Sequence, residues 1–212
     1  MSRSDHQLKS RIGRSVSLAA EYLRQGKVVA FPTETSYGLA VDPCNDRAVE
    51  RLFSLKKRSA DKPILLLVQR CQQLNQLVST IPDGYRDLMS RYWPGPLTLI
   101  FPALDCVNPK LTANTKTVGI RISPHPVARS LLAHFGAPVT ATSANLSGME
   151  AAASAEEVLT VFGDAVDYIL EGIVSAGPVW STIVTTKNGR LAVIRQGELK
   201  IDDQLLPDDG SN

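Results

Sequence analysis

Four short polar strings, each at the end of an apolar stretch, hold the residue types that could handle a phosphorylated substrate. FPTETSYGLA (31–40) follows the apolar run 28–31 and offers Thr33, Thr35 and Tyr37. LKKRSADKP (55–63) places Lys56 and Arg58 at the end of an amphipathic segment, where both are expected as exposed cations. TSAN (142–145) supplies Thr142, Ser143 and Asn145, and Ser181-Thr182 faces Arg195 across a short hairpin. Arginine gives planar, two-point contact to phosphate and lysine a compact charge, while hydroxyls and amides can hold phosphate or carboxylate oxygens. Open α/β sheets bind ligands at strand ends of this kind. Each string also has an ordinary reading: helix-end cations complement the helix dipole, Thr, Ser and Asn make turns and caps, and an arginine on a strand is commonly solvated.

Other chemistries find less support. Neither GxxxxGK[ST] nor GxGxxG occurs in the chain. His6 lies in a polar N-terminal stretch, His125 sits between Pro124 and Pro126, and His134 falls on a helical pattern, so surface or packing roles are expected for all three rather than a Ser-His-Asp base. Cys44, Cys71 and Cys106 are far apart and show no CxxC spacing, which argues against a disulfide framework or a protein-only metal site. The net charge of +2 is too small for a protein whose main work is gripping nucleic acid, so any RNA contact is expected to be local. No segment reaches the roughly 20 apolar residues that cross a bilayer, and residues 1–14 lack the apolar core of a secretory signal. A cytoplasmic protein without membrane contact is expected.

The elements that must position these strings follow from periodicity. Ile12, Val16, Ala19, Ala20 and Leu23 recur at helical spacing before Gly26. Helices are predicted after a cap at Asn45 or Asp46, over 85–92, over 127–135, and from a Ser154/Glu157 capping box through Phe162. Strands are predicted over 28–31, 64–68, 97–101, 118–122, 138–142, 182–186 and 191–195. Asn188-Gly189 between the last two is a hairpin signal because both residues tolerate positive φ. Strands interleaved with helices and closed by a hairpin predict one α/β domain over 1–212, with its core at about 15–200, a mixed sheet and a loose tail after Ile201.

Taken in order, the strings resemble the YrdC family. The resemblance runs from about Ser15 to Gly197 and rests on PTETxYGL at 32–39, KxR at Lys56 and Arg58, DKP at 61–63, PGPLT at 94–98, Ile120-Arg121, SxN at Ser143 and Asn145, Ser181-Thr182, and RxG at Arg195 and Gly197. Ser36, Ala40 and Trp180 depart from the usual Val, Gly and Pro.

The resemblance implies a twisted mixed sheet with flanking helices around a concave basic cavity. It also implies synthesis of threonylcarbamoyl-AMP from L-threonine, bicarbonate or CO2, and ATP with Mg2+, releasing pyrophosphate, for modification of tRNA adenosine 37. Lys56, Arg58, Ser143 and Asn145 then stand as catalytic candidates. Thr33, Thr35, Tyr37, Thr98, Arg121, Thr142, Ser181 and Arg195 are the substrate and nucleotide contacts. The implied partners are the proteins of a downstream tRNA threonylcarbamoyl-transferase complex, with weak tRNA or double-stranded RNA contact besides. The length matches the short, single-domain type. Two other readings stay open: a non-enzymatic double-stranded RNA-binding or ribosome-maturation protein, and the YciO-like branch.

Overall fold

Ten short strands and five α-helices alternate along the residues that the computed structural model describes, 11–174 and 180–202. The first helix, α1 (Val16–Arg24), begins where Ser15 Oγ accepts from Leu18 N and buries Ala19, Ala20 and Leu23. Helix α2 (Asp46–Lys56) is capped by Asn45, whose Oδ1 accepts from Ala48 N, and it stops at Lys57, which adopts the left-handed conformation (φ 49°). Such a turn releases the chain from helical geometry and swings the following residue to a new side. Helix α3 spans Tyr85–Tyr92 and α4 spans Pro126–Phe135. His125 is a packing residue: it is buried, and its Nδ1 accepts from Val127 N to cap α4.

The predicted box at the start of α5 (Ala155–Phe162) forms only in part. Ser154 Oγ accepts from Glu157 N at 3.1 Å, but the Glu157 carboxylate reaches Ala153 N at 2.7 Å instead of the cap residue.

The strands are β1 (Ile12–Gly13), β2 (Val29–Pro32), β3 (Tyr37–Ala40), β4 (Leu65–Leu67), β5 (Leu97–Pro102), β6 (Thr117–Arg121), β7 (Val139–Ser143), β8 (Tyr168–Leu170), β9 (Thr182–Lys187) and β10 (Arg190–Arg195). They form one sheet in the order β1-β8-β2-β3-β7-β4-β6-β5-β9-β10. Pairing is mixed, as expected: β4 with β6 and β5 with β9 are parallel, whereas β2 with β3, β3 with β7 and β5 with β6 are antiparallel. Asn188 (φ 52°) and Gly189 (φ 77°) turn the β9–β10 hairpin.

Three strands had no counterpart in the sequence reading. β1 and β8 are two and three residues long, too short to show a period. β3 was hidden inside the string 31–40, which folds as a hairpin and not as a strand followed by a loop. Ile201 is buried and Asp202 N donates to Tyr92 Oη, so the tail is still anchored there; residues 203–212, like 1–10, lie outside the described region.

Two apolar clusters sandwich the sheet. One packs α2, α3 and α5 against Leu66, Leu99 and Ile120. The other packs α1 and α4 against Val29, Phe31, Leu67, Val139 and Ala141. Side chains alternate faces along a strand, so Leu65, Gly119, Thr98 and Ile100 share the face covered by α1 and α4. That helix pair covers only part of the face, and the rest is left for a site.

Candidate functional site

A cavity of about 400 Å³ opens on the uncovered part of that face. Its floor crosses the sheet in register: Gly38 pairs with Ser143, Thr98 pairs with Ile183, and continuing the β5–β6 register places Arg121 opposite Thr98. Arg58, Lys62, Arg121 and Arg195 line it, against one carboxylate, Asp61. A site of this size with convergent polar groups is typical for a small charged ligand.

Of the residues singled out in the sequence, Thr33, Thr35, Tyr37, Arg58, Thr98 and Arg121 line the cavity, as do Thr142, Ser143, Ser181 and Arg195. Lys56 and Asn145 do not. The expectation that Lys56 is an exposed cation is corrected: the residue is 1% exposed. Its Nζ donates to Ser143 O, to Asn145 O at 2.7 Å and to Asn145 Oδ1 at 3.0 Å. Asn145 Oδ1 also accepts from Ser143 Oγ at 2.7 Å, and its Nδ2 donates to Met149 O. The lysine therefore ties the end of α2 to the turn after β7. Burial, and then the charge of Arg58, push the Lys56 pKa down to about 7. The three acceptors around the nitrogen oppose that shift without reversing it, since only the ammonium has three donors to offer.

Arg58, two residues on, faces the cavity. Its Nε donates to Lys62 O at 3.0 Å and its Nη2 to Pro63 O at 2.8 Å, so the guanidinium shapes the loop it stands on. Burial lowers its pKa from the ordinary arginine value, yet arginine remains charged at any working pH.

On the opposite wall, Arg195 donates from Nε and Nη2 to Ser181 O and from Nη2 to Ser181 Oγ at 3.0 Å. Ser181 Oγ also lies 2.9 Å from Thr98 Oγ1, joining β5, β9 and β10. Burial and then the Arg121 charge lower the Arg195 pKa. Two guanidiniums sharing a cavity repel, and a bound anion relieves that repulsion. Gly197 completes this wall because a Cβ there would fall 2.1 Å from Trp180 O, so no larger residue lets the chain pack this closely.

The β2–β3 turn forms the third wall. Thr33 Oγ1 donates to Ser36 O at 2.7 Å and accepts from Thr35 N at 3.2 Å, so it clasps the turn from within. Arg121 Nη1 lies 3.3 Å from Thr35 Oγ1 and 3.4 Å from Glu34 Oε1, while Ser123 Oγ donates to Glu34 Oε2. Glu34 Oε1 and Arg121 Nε are buried and have no hydrogen-bond partner among the described residues. Glu34 is not among the candidates the sequence singles out, although a carboxylate between two threonines directly after a buried strand is a signal for it. Tyr37 is buried, exchanges hydrogen bonds with Gly172 O and N, and has its pKa pushed up to about 12 by burial, so it stays a neutral phenol.

Among the described residues no cluster of three or more His, Cys, Asp and Glu side chains could hold a metal, and no helix is long and apolar enough to cross a membrane.

The Sua5/YciO/YrdC family model, described as telomere recombination, matches residues 21–197. A protein of Pyrococcus abyssi named threonylcarbamoyl-AMP synthase is 35% identical over 188 residues, covering 89% of this chain and 55% of that one. The protein of that name in Bacillus subtilis is 38% identical over 187 residues, 86% of this chain and 53% of its own. The chain thus spans about half the length of both. The Thiobacillus denitrificans protein of that name is 37% identical and is covered over 96% of its length, against 86% of this chain. Among solved structures, that of P. abyssi Sua5 complexed with L-threonine superposes with a TM-score of 0.84 at 34% identity, over 89% of this chain and 57% of the other. Escherichia coli YciO shares the fold, with a TM-score of 0.78 at 24% identity over 89% and 94% of the two chains. This chain belongs to the Sua5/YciO/YrdC family.

Proposed function

We propose that this chain condenses L-threonine, bicarbonate or CO2, and ATP into threonylcarbamoyl-AMP and pyrophosphate, acting in the cytoplasm as the supplier of an activated intermediate for tRNA modification. The observation that carries this reading is the charge of the cavity: Arg58, Lys62, Arg121 and Arg195 converge on a space that also presents the hydroxyls of Thr35, Thr98, Ser143 and Ser181 and a single carboxylate, Asp61. The relatives named threonylcarbamoyl-AMP synthase support it, as does the L-threonine complex reported for the P. abyssi protein.

The reaction needs no protein nucleophile. The threonine amine attacks the carbon of CO2 and loses a proton, giving a carbamate. A carbamate oxygen then attacks the α-phosphorus of ATP, and the bond to the bridging oxygen breaks with its electron pair leaving on pyrophosphate. Charge gathers on the phosphates as that bond lengthens. Arg58 and Arg195, on facing walls, are assigned to hold it, with Lys62 beside Arg58. Lys56 and Asn145 are assigned a different role from that first expected: they fix the Ser143 turn and touch no substrate. Thr35, Thr98, Ser143 and Ser181 are assigned to orient threonine and nucleotide oxygens by hydrogen bonds. Mg2+ would enter on the nucleotide phosphates, where it neutralises charge.

The test is conversion of ATP to pyrophosphate and an AMP-linked product. Dependence on both threonine and bicarbonate is expected, and turnover without either would overturn the reading. Adding unmodified tRNA alone should yield no threonylcarbamoyladenosine until the separate transferase proteins are supplied. A non-enzymatic RNA-binding protein would instead show salt-sensitive RNA affinity and no threonine-dependent turnover.

A further inference from the structure

Trp180 stands apart from the other large apolar side chains that the described part of the protein exposes. Met149, Val161, Ile173 and Ile194 are also exposed, but none of them lines the cavity. Isolated exposed apolar groups are ordinary on any surface. Trp180 is 44% exposed and does line it. The Arg195 guanidinium lies over the indole, 5.6 Å from the ring centroid, and is itself held by Ser181. Ser181, the next residue, is bonded to Thr98 on the floor, and Glu198 N donates to Trp180 O at 2.9 Å. The indole is thus mounted on a backbone pinned from two sides, at the mouth of a cavity whose floor there carries Ile100 and Ile183. A flat aromatic face, apolar neighbours and an adjacent cation match a ligand that is planar at one end and anionic at the other.

We propose that Trp180 is the stacking platform for the nucleobase of the bound nucleotide, with the base on the indole and the phosphates running toward Arg195 and the deeper cations. This rests on the ATP-using reading above and names the residue that receives the base. Stacking tolerates any base because every base has a π-face, so the platform sets affinity for a nucleotide over a bare polyphosphate and does not by itself select adenine. It also accounts for the use of tryptophan where the family motif has proline.

The chain contains two tryptophans, which makes the test direct. The other, Trp93, packs against Phe101 and donates from Nε1 to Leu97 O, so it reports from the core. Titrating the whole protein with ATP should quench indole emission, and inorganic tripolyphosphate, which has the phosphates without a base, should not. In Trp180→Phe the residual Trp93 signal should not respond to ATP. Trp180→Ala should weaken ATP binding roughly 5- to 150-fold, the equivalent of the ~1–3 kcal/mol that one stacked base contributes, and leave the threonine KM and kcat far less affected. Trp180→Phe, which keeps a smaller ring, should fall between the two. Equal quenching by tripolyphosphate, or an ATP affinity unchanged in a folded Trp180→Ala protein, would overturn the platform. Failure of the reaction reading looks different: the wild-type protein would show base-dependent quenching without turnover that requires threonine and bicarbonate.

Discussion

Lys56 and Arg58 are two residues apart, carry the same charge and belong to one motif, yet the fold divides them. Lys56 closes α2, is 1% exposed and has its three donors on oxygens of the Ser143–Asn145 turn. Arg58 comes after the left-handed Lys57, which turns the chain by enough to place its guanidinium on the cavity wall. The difference teaches that the spacing x in KxR is a geometric instruction. One residue in a left-handed conformation separates a cation that holds the Ser143–Asn145 turn from a cation that lines the cavity.

The sharpest way to break that comparison is to remove each partner in turn. Lys56→Ala leaves Asn145 O without its buried donor and takes one donor each from Ser143 O and Asn145 Oδ1, which keep Asn145 N and Ser143 Oγ, and a lost or orphaned buried hydrogen bond costs about 1–3 kcal/mol. A loss of about 3 kcal/mol is expected, which for a chain of this size lowers Tm by roughly 6–12 °C, and turnover should fall because the Ser143 turn loosens. Thermal melts check it. Arg58→Ala should do the reverse. It gives up two loop hydrogen bonds at a half-buried position, so stability should change by about 1 kcal/mol or less, while loss of a charge-stabilising donor typically costs roughly 10²–10³ in kcat. If the two variants lose stability equally, the division of labour is wrong.

The sequence made part of this division legible. Both strings stand at element ends, the helix before Lys56 is visible in its period, and Asn45 or Asp46 offers its cap. What periodicity could not show is where Lys56 points, because its acceptors lie 87 and 89 residues away, on β7 and the turn beyond it. For the same reason Glu34 reads in the sequence only as a loop residue: its surroundings come from Arg121 at the end of β6 and Ser123 just beyond it. Thr33, read as a ligand contact, closes its own turn, a local role that its neighbours Thr35 and Ser36 made available but did not require. β3 was hidden because Gly38 interrupts an apolar run that only cross-strand pairing with β2 and β7 turns into a strand. Trp180 lies next to a motif and gave no sign of lining a cavity.

A finer test uses pH. The Lys56 pKa falls from its ordinary 10.5 to about 7 in the folded protein, because burial disfavours the charge. Between those values the unfolded chain binds one more proton than the folded one, so the contribution of Lys56 to stability rises with pH. It is fully present above about 10.5 and is lost as pH falls toward 7. The slope for one proton is at most ~1.4 kcal/mol per pH unit. Measuring urea stability of wild type against Lys56→Met from pH 7 to 10 subtracts every other titrating group. A difference that grows with pH is expected, and a flat difference would mean that the three acceptors hold the proton against burial.

The smallest expected effect belongs to the opposite wall, at Ser181. Its Oγ accepts from Arg195 and shares a hydrogen bond with Thr98, whereas its backbone oxygen takes two further donations from the same guanidinium. Ser181→Ala therefore removes two hydrogen bonds without releasing Arg195, which stays attached through the carbonyl. A net hydrogen bond of this kind contributes ~0.5–1.5 kcal/mol, and Thr98 Oγ1, left facing the cavity, can turn to water or ligand. Stability should fall by about 1 kcal/mol, and the KM for ATP should rise by no more than about tenfold with kcat nearly preserved. Arg195→Ala offers the contrast, since it removes the cation itself. If Ser181→Ala matched Arg195→Ala in kcat, the hydroxyl would have to meet the reacting groups directly, and this wall would not divide neighbouring residues between holding the site and working in it.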